Sequence, residues 1–184
     1  MLPKSGIAGT QRAVFLDRDG VINQCEVRDG KPYAPRALED FELLPRVIPA
    51  VRMLKDAGLL VIVGTNQPDI GNGLVDVVVV EAMHDVLRKR LPLDDIKMCP
   101  HRQDEGCDCR KPKPGMLIAA AKERNIDLSR SFMVGDRWGD IVAGQAAGCY
   151  TFMLDRGYRE PRLAEPNKYT KSLYTASQAI LATL

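Results

Sequence analysis

The chain has 184 residues, 45% of them hydrophobic and 27% charged, which is enough for one globular domain with a substantial core and no need of disulfide staples. Its 26 basic and 24 acidic residues are scattered to a net charge of +2, without a basic tail or stripe, so nucleic-acid binding has no support. The apolar runs are too short to span a bilayer and Met1 to Thr10 lacks the apolar run of a signal peptide, so neither membrane insertion nor export is indicated and a cytoplasmic protein is expected.

Short apolar runs alternate with longer helical patterns. Ala13 to Leu16 reads as a strand, Val47 to Ala57 as a helix closed by Gly58, Leu59 to Val63 as a strand and Val75 to Leu91 as a helix. Within the last of these, Val77 to Val80 is β-branched and favours a strand, whereas Glu81 to Arg90 carries a helical pattern, and the whole is taken as helix. A short run near Ile96 comes next, then a helix opened by Pro114 and reaching about Arg124, a strand at Phe132 to Val134, a helix from Asp140 to Ala147 and a strand at Tyr150 to Leu154. Such alternation predicts an α/β fold, a doubly wound parallel sheet covered by helices on both faces, spanning residues 1–184 as one domain. Gln24 to Leu44, Cys99 to Lys113 and Arg156 to Lys171 break the pattern and read as loops. In an open α/β sheet, ligands lie beyond the carboxyl ends of the strands, so chemistry is sought in the loop at each strand's carboxyl end.

The first strand runs into Asp17-Arg18-Asp19-Gly20, which delivers two carboxylates to a carboxyl end. One carboxylate of such a pair can attack phosphorus while the other protonates the leaving oxygen and later deprotonates water. Asp and Gly are also common in plain solvated turns. The second strand ends in Val63-Gly64-Thr65-Asn66-Gln67, a hydroxyl and two amides suited to phosphoryl oxygens, although Thr and Asn in such a place are more often capping or turn residues than catalytic ones. Arg110-Lys111-Pro112-Lys113 concentrates positive charge before a helix start, where phosphoryl groups are stabilised. Gly135-Asp136-Arg137-Trp138-Gly139-Asp140 adds carboxylates which, with Asp17 and Asp19, make a candidate oxygen site for magnesium; Asp140 also suits a helix cap. Trp138 suits either the pocket or packing, His84 falls in a helical pattern far from these motifs as a structural or exposed residue, and Cys149 falls in the core.

Of five cysteines, Cys99, Cys107 and Cys109 crowd together with His101. Three thiolates and an imidazole complete a tetrahedral structural zinc site with no open position, a better account of the cluster than a redox pair or chance. Zinc would fix the loop that carries Arg110 and Lys111, with Asp108 solvated between two ligands.

The ordered set of strand-terminal Asp-x-Asp, strand-terminal Thr, a lysine before a helix and strand-terminal Gly-Asp resembles the haloacid dehalogenase superfamily of phosphohydrolases, from Asp17 to Asp140. The resemblance implies Asp17 as nucleophile, Asp19 as general acid and base, Thr65 and Lys111 as stabilisers of the phosphoryl group, and magnesium held by Asp17, the backbone carbonyl of Asp19 and Asp136. The zinc cluster narrows it to a branch holding D-glycero-D-manno-heptose 1,7-bisphosphate 7-phosphatases and histidinol-phosphate phosphatases. Phe41 to Pro45, Cys107 to Met116 and Met133 to Arg137 look closer to the heptose enzymes. The resemblance then implies hydrolysis of a small phosphorylated metabolite, a sugar bisphosphate, by a monomer; histidinol phosphate is the alternative substrate and a non-catalytic phosphate-binding scaffold the alternative class. It places Cys25, Glu26, Val27, Arg28, Asn66, Gln67, Arg110 and Arg137 at the substrate. The family's loop Ser-Gly-Ile-Ala-Arg-Gly is here Pro68-Asp69-Ile70-Gly71-Asn72-Gly73, without its arginine. Gln24 to Leu44 is too short for a sealing cap.

Overall fold

The structure, a computed structural model, describes residues 10–184, so all of Met1 to Thr10 except Thr10 lies outside the described residues. Strand β1 (Ala13–Leu16) is buried on both faces, and its side chains alternate between two apolar clusters. Val14 and Leu16 enter one, Ala13 and Phe15 the other. A small antiparallel hairpin comes next, β2 (Glu26–Arg28) with β3 (Lys31–Tyr33), and then helix α1 (Val47–Asp56). Strand β4 (Leu60–Asn66), the short helix α2 (Pro68–Gly71), helix α3 (Val77–Arg90) and strand β5 (Asp95–Cys99) complete the first half. The second half runs through α4 (Gly115–Arg124), β6 (Phe132–Gly135), α5 (Trp138–Ala147), β7 (Tyr150–Leu154), β8 (Lys168–Thr170) and α6 (Leu173–Leu181).

The main sheet has six strands in the order β5-β4-β1-β6-β7-β8, and every neighbouring pair is parallel. The chain therefore builds outward on one side of β1 and then restarts on its other side as β6. Helix α1, after β1, packs on one face through Val47, Ala50, Val51 and Leu54, a stripe at i, i+3, i+4 and i+7. Helix α5, after β6, packs on the opposite face, where Gly144 lies so close to Met133 and Thr151 that a Cβ would be 2.7 and 2.8 Å from them. Helices on opposite faces splay apart above β1 and β6, which opens a crevice at that switch point.

The alternation read from the sequence is present, with three differences. Gln24 to Leu44 holds the β2–β3 hairpin, and Arg156 to Lys171 holds β8 on the sheet edge. Helix α6 lies outside every element expected from the sequence; Ser172 and Thr175 close a reciprocal capping box at its start, and Arg46 stacks 3.3 Å over the Tyr174 ring to tie it to α1. The valine run is helical because Asp76 caps α3 by accepting the Val78 N–H at 2.8 Å, and because Val80, Met83, His84 and Leu87 form its buried stripe. No helix among the described residues is long and apolar enough to cross a membrane.

Leu54 is fully buried between α1 and the sheet, whereas Ile118 on α4 is 47% exposed. Leu54→Ala is expected to lower the unfolding free energy by about 2–5 kcal/mol, and Ile118→Ala to change it by no more than about 0.5 kcal/mol. Urea titrations of the two variants test the contrast.

Candidate active site and cysteine-rich loop

Four strand ends meet at the switch point. β1 delivers Asp17 and Asp19, β4 delivers Thr65, Asn66 and Gln67, β6 delivers Asp136, and the loop after β5 brings Lys111. Gly20 has φ +81°, and a Cβ there would sit 1.7 Å from Asp136 Oδ2, so only glycine allows the two loops to touch.

Asp17 accepts the Arg18 backbone N–H at 2.8 Å and faces the Lys111 ammonium at 2.8 Å; both contacts fall on Oδ1 and leave Oδ2 clear. Lys111 also approaches Asp140 Oδ1 at 2.6 Å, and both approaches are ion pairs by distance without the angles of aligned hydrogen bonds. Asp140 turns its other oxygen to the backbone N–H groups of Asp136 and Arg137, at 3.2 and 3.1 Å. It therefore sits at the third position of α5 with Arg137 as the N-cap, and the helix begins at Trp138, two residues before the start expected at Asp140.

Burial, then the charge of Asp140, raises Asp17 to about 7 against the lowering effect of Lys111. Asp136, buried and next to Asp17 and Asp140, is raised well above the usual carboxylate range. Burial opposes the Lys111 charge, but Asp140 and Asp17 outweigh it and hold the ammonium protonated. The carboxylates of Asp17, Asp136 and Asp140 lie within 4.8 Å of one another, and Asp136 Oδ1 is buried without a hydrogen-bond partner among the described residues. Clustered hard oxygens with an unsatisfied member fit a small divalent cation.

Asp19 is held by three side chains. Arg18 grips both carboxylate oxygens at 3.0–3.2 Å, Gln67 Nε2 donates at 2.6 Å and Asn23 Nδ2 at 2.9 Å. Arg18 is fully buried and its far side meets His84 at 3.2 Å, so His84 is not remote from the motifs but braces one of them. Burial, then the Arg18 charge, lowers the His84 pKa.

The cleft above these groups measures about 470 Å³. Asp17, Asp19, Cys25, Asn66, Gln67, Arg110, Lys111, Asp136 and Arg137 all line it. Glu26, Val27 and Arg28 do not: they form an exposed hairpin strand in which Arg28 stacks 3.9 Å over Tyr33 and pairs with Glu26. Thr65 is fully buried beneath the cleft, where its hydroxyl accepts from Gln67 at 2.9 Å. Asn66 clamps the Lys111 backbone from both sides, donating to its carbonyl at 3.0 Å and accepting its N–H at 3.1 Å. Arg137 is paired with Glu160, and Trp138 joins the wall. Sequence reasoning misses Lys31, Tyr158 and Glu160, which lie in stretches that read as featureless loops. It finds in Asp140 a carboxylate or a cap, although the Asp-x-x-x-Asp spacing from Asp136 places both carboxylates across the first turn of α5.

Beside the cleft, Cys99 Sγ lies 3.5 Å from His101 Nδ1 and 3.5 Å from Cys107 Sγ, while Cys109 Sγ lies 3.2 Å from His101 Nδ1 and 3.5 Å from Cys107 Sγ. Donors at ~2.0–2.3 Å from one tetrahedral zinc ion stand roughly 3.3–3.8 Å apart, and these four spacings are close to that range. All five cysteines are free of disulfides, Cys149 within the core. Burial, then hydrogen bonding to Cys109, pushes the Cys99 thiol up to about 12. Asp108 is solvated and pairs with Lys113 at 3.0 Å.

The model of the HAD-hydrolase-like family matches residues 108–176. The chain is 40% identical over 158 residues to the D-glycero-beta-D-manno-heptose-1,7-bisphosphate 7-phosphatase of Pseudomonas aeruginosa, covering 83% of this chain and 86% of that one. It is 38% identical over 178 residues to the Pseudomonas putida protein of the same name, covering 94% and 99%. Among solved structures, it superposes with a TM-score of 0.82 and 30% identity on D,D-heptose 1,7-bisphosphate phosphatase from B. bronchiseptica complexed with magnesium and phosphate, covering 95% of this chain and all of that one.

Three buried carboxylates served by one lysine make the magnesium-free site a local cost in stability. Between pH 3.8 and about 7 the folded chain keeps the Asp17 proton that the unfolded chain has released, so rising pH erodes the stability of the magnesium-free fold. Asp136→Asn removes one of the charges and is expected to raise the melting temperature of magnesium-free protein at pH 7.5 by about 2–4 °C or more. Differential scanning calorimetry with and without magnesium tests this, and the gain should vanish when the cation is present.

Proposed function

This chain belongs to the family of D-glycero-D-manno-heptose-1,7-bisphosphate 7-phosphatases, within the haloacid dehalogenase superfamily, and from that membership we propose that it hydrolyses the 7-phosphate of a heptose 1,7-bisphosphate through a phospho-aspartate on Asp17. The observation that carries the reading is the open oxygen of Asp17, facing a cleft of about 470 Å³ with Lys111 locked on its other oxygen. That volume falls in the range of sites for small molecules.

Asp17 Oδ2 attacks phosphorus, the bond from phosphorus to the sugar oxygen breaks, and Asp19 gives that oxygen a proton. Asp19 then takes a proton from water, which attacks phosphorus and releases phosphate and free Asp17. Arg18, Gln67 and Asn23 keep Asp19 in a single orientation for both tasks. Lys111 offsets the charge gathered on the phosphoryl oxygens, and Thr65 acts through Gln67 on the same edge. Magnesium, which phosphatases of this fold use, would be held by Asp17, Asp136 and the backbone carbonyl of Asp19 and would offset repulsion between carboxylate and phosphate. Asp140 is committed to Lys111 and to the start of α5.

The hairpin supplies Lys31 to Ala34 to one wall and the stretch after β7 supplies Glu160, so the cleft is walled by loops without a cap domain. Arg110 and Arg137 are assigned to the part of the sugar bisphosphate away from the reacting phosphate, because guanidinium groups bind phosphate oxygens in a bidentate way. A structural zinc ion in the Cys99, His101, Cys107 and Cys109 cluster would hold the Arg110–Lys111 loop in place.

Asp17→Asn is expected to abolish turnover while the fold is retained, and rapid quenching of the wild type with labelled substrate should place phosphate on Asp17. Full activity of that variant would end the mechanism. Phosphate release faster from histidinol phosphate than from every sugar bisphosphate would replace the substrate.

Cys107→Ser should cut zinc content below about one equivalent per chain by elemental analysis. It should lower the melting temperature and reduce activity together, since Lys111 lies two residues beyond the last cysteine of the loop. Native stability and activity in a zinc-free chain would refute the structural role.

A further inference from the structure

Tyr158 belongs to the irregular stretch after β7, to which neither the strand–helix alternation nor the family motifs assign a task. Its hydroxyl donates to Asp136 Oδ2 at 2.8 Å. The other oxygen of the same carboxylate, Oδ1, is buried and takes no hydrogen bond among the described residues. The backbone that carries Tyr158 is pinned on both sides. Arg156 Nε donates to the Gly20 carbonyl at 3.0 Å, and the Arg159 N–H donates to the Gly30 carbonyl at 2.8 Å. The space in which the phenol meets Asp136 exists because residue 20 is glycine: a Cβ there would lie 1.7 Å from Asp136 Oδ2 and 3.0 Å from the Tyr158 hydroxyl oxygen.

We propose that Tyr158 is a positioning residue for the cation site: by holding Oδ2 of Asp136 it fixes the carboxylate so that Oδ1 is the oxygen offered to magnesium. The inference rests on the magnesium reading given above. A carboxylate with two unrestrained oxygens turns about its terminal bond, and binding a cation then has to stop that rotation. A hydrogen bond to one oxygen stops it in advance, as partners of metal ligands generally do. The choice of donor matters as well. A lysine in this place would bring a positive charge that competes with the cation, whereas a phenol orients Asp136 and adds no charge. The three carboxylates thus have different partners. Asp17 and Asp140 share the Lys111 ammonium, whereas Asp136 is held by the neutral phenol and has no ion pair among the described residues.

Manganese, read by the loss of its free-ion paramagnetic signal, can be titrated into substrate-free protein that has been depleted of magnesium and retains its zinc. The wild type should bind about one equivalent displaceable by magnesium, and Asp136→Asn marks the loss of a ligand itself. Tyr158→Phe, which keeps the ring and loses only the hydroxyl, should weaken the affinity about 10-fold or more. Its zinc content should match the wild type, and its melting temperature without manganese should fall by no more than about 2–4 °C, as for one hydrogen bond lost from a buried carboxylate. Equal or tighter manganese binding by Tyr158→Phe overturns the assignment. So does an equal loss in Glu160→Gln, which perturbs the same stretch without touching Asp136, because the effect would then come from loosening the segment. Failure of the wild type to bind manganese would instead remove the magnesium reading on which the inference rests.

Discussion

A single buried ammonium governs the carboxyl edge of the sheet. Lys111 stands 2.8 Å from Asp17 and 2.6 Å from Asp140, with nearly all of its side chain withdrawn from water. Carboxylates removed from water at this separation repel one another and favour protonation. Lys111 offsets only part of that effect, since burial and mutual repulsion still raise Asp17 and Asp136 above the ordinary range. The residual negative charge sits on hard oxygens, which is the donor type and the sign that a divalent cation requires. A site made of well-packed apolar groups would be more stable and chemically inert. The apolar sheet beneath, with β1 and β6 buried along their whole length, is what offsets the difference.

Because the ammonium matters, its backbone is held more firmly than its loop position suggests. Asn66 grips both polar groups of the Lys111 peptide from the end of β4. On the amino-terminal side the chain comes straight from the cysteine cluster, and Gly115 lies so near Asp108 that a Cβ would be 2.1 Å from its carbonyl oxygen. On the other side Asp140 caps α5 and holds the ammonium with its remaining oxygen, so the helix start and the lysine are fixed by one side chain. Two elements distant in sequence, β1 through Asp17 and α5 through Asp140, therefore meet at one Nζ while β4 holds the backbone behind it, and a shift in any of them moves the charge beside the proposed nucleophile. Catalytic geometry is sensitive to such shifts on the scale of ~1 Å.

The parts of this arrangement that lie at strand ends are legible from the sequence, because a strand end has a known direction. Asp17, Asp136 and the Thr65–Gln67 stretch stand out as an ordered set at strand ends, although each alone also fits a turn or a cap, and the cysteine cluster stands out by ligand type and spacing. Contact between elements cannot be read in the same way. His84 sits on the buried stripe of α3, where a histidine resembles any core residue, and only the fold brings it to Arg18. Asp140 looks like an N-cap but closes the capping box from the third position of α5, and its second oxygen finds Lys111 through tertiary packing. Strands of three residues, such as β2, β3 and β8, are too short for a period of two to stand out from chance. Helix α6 escapes the sequence pattern although Ser172 and Thr175 carry a capping signal, because it sits directly behind the charged, proline-rich stretch 156–171 that breaks the strand–helix alternation.

Those short pieces also make the two arginines of the cleft unlike each other, which their sequence positions do not suggest. Arg137 at the start of α5 is engaged by Glu160, and the Glu160 segment is tied to the hairpin through the bond from Arg159 N–H to the Gly30 carbonyl. An anionic group that reached Arg137 would have to share the guanidinium with a carboxylate already in place, and much of the attraction would be cancelled. Arg110 has a buried Nη1 with no partner among the described residues, which burial makes costly until an acceptor arrives. In the proposed reaction the unmet donor is therefore the stronger anchor for the far end of a doubly phosphorylated sugar. Arg137, shared with Glu160, is the weaker of the two.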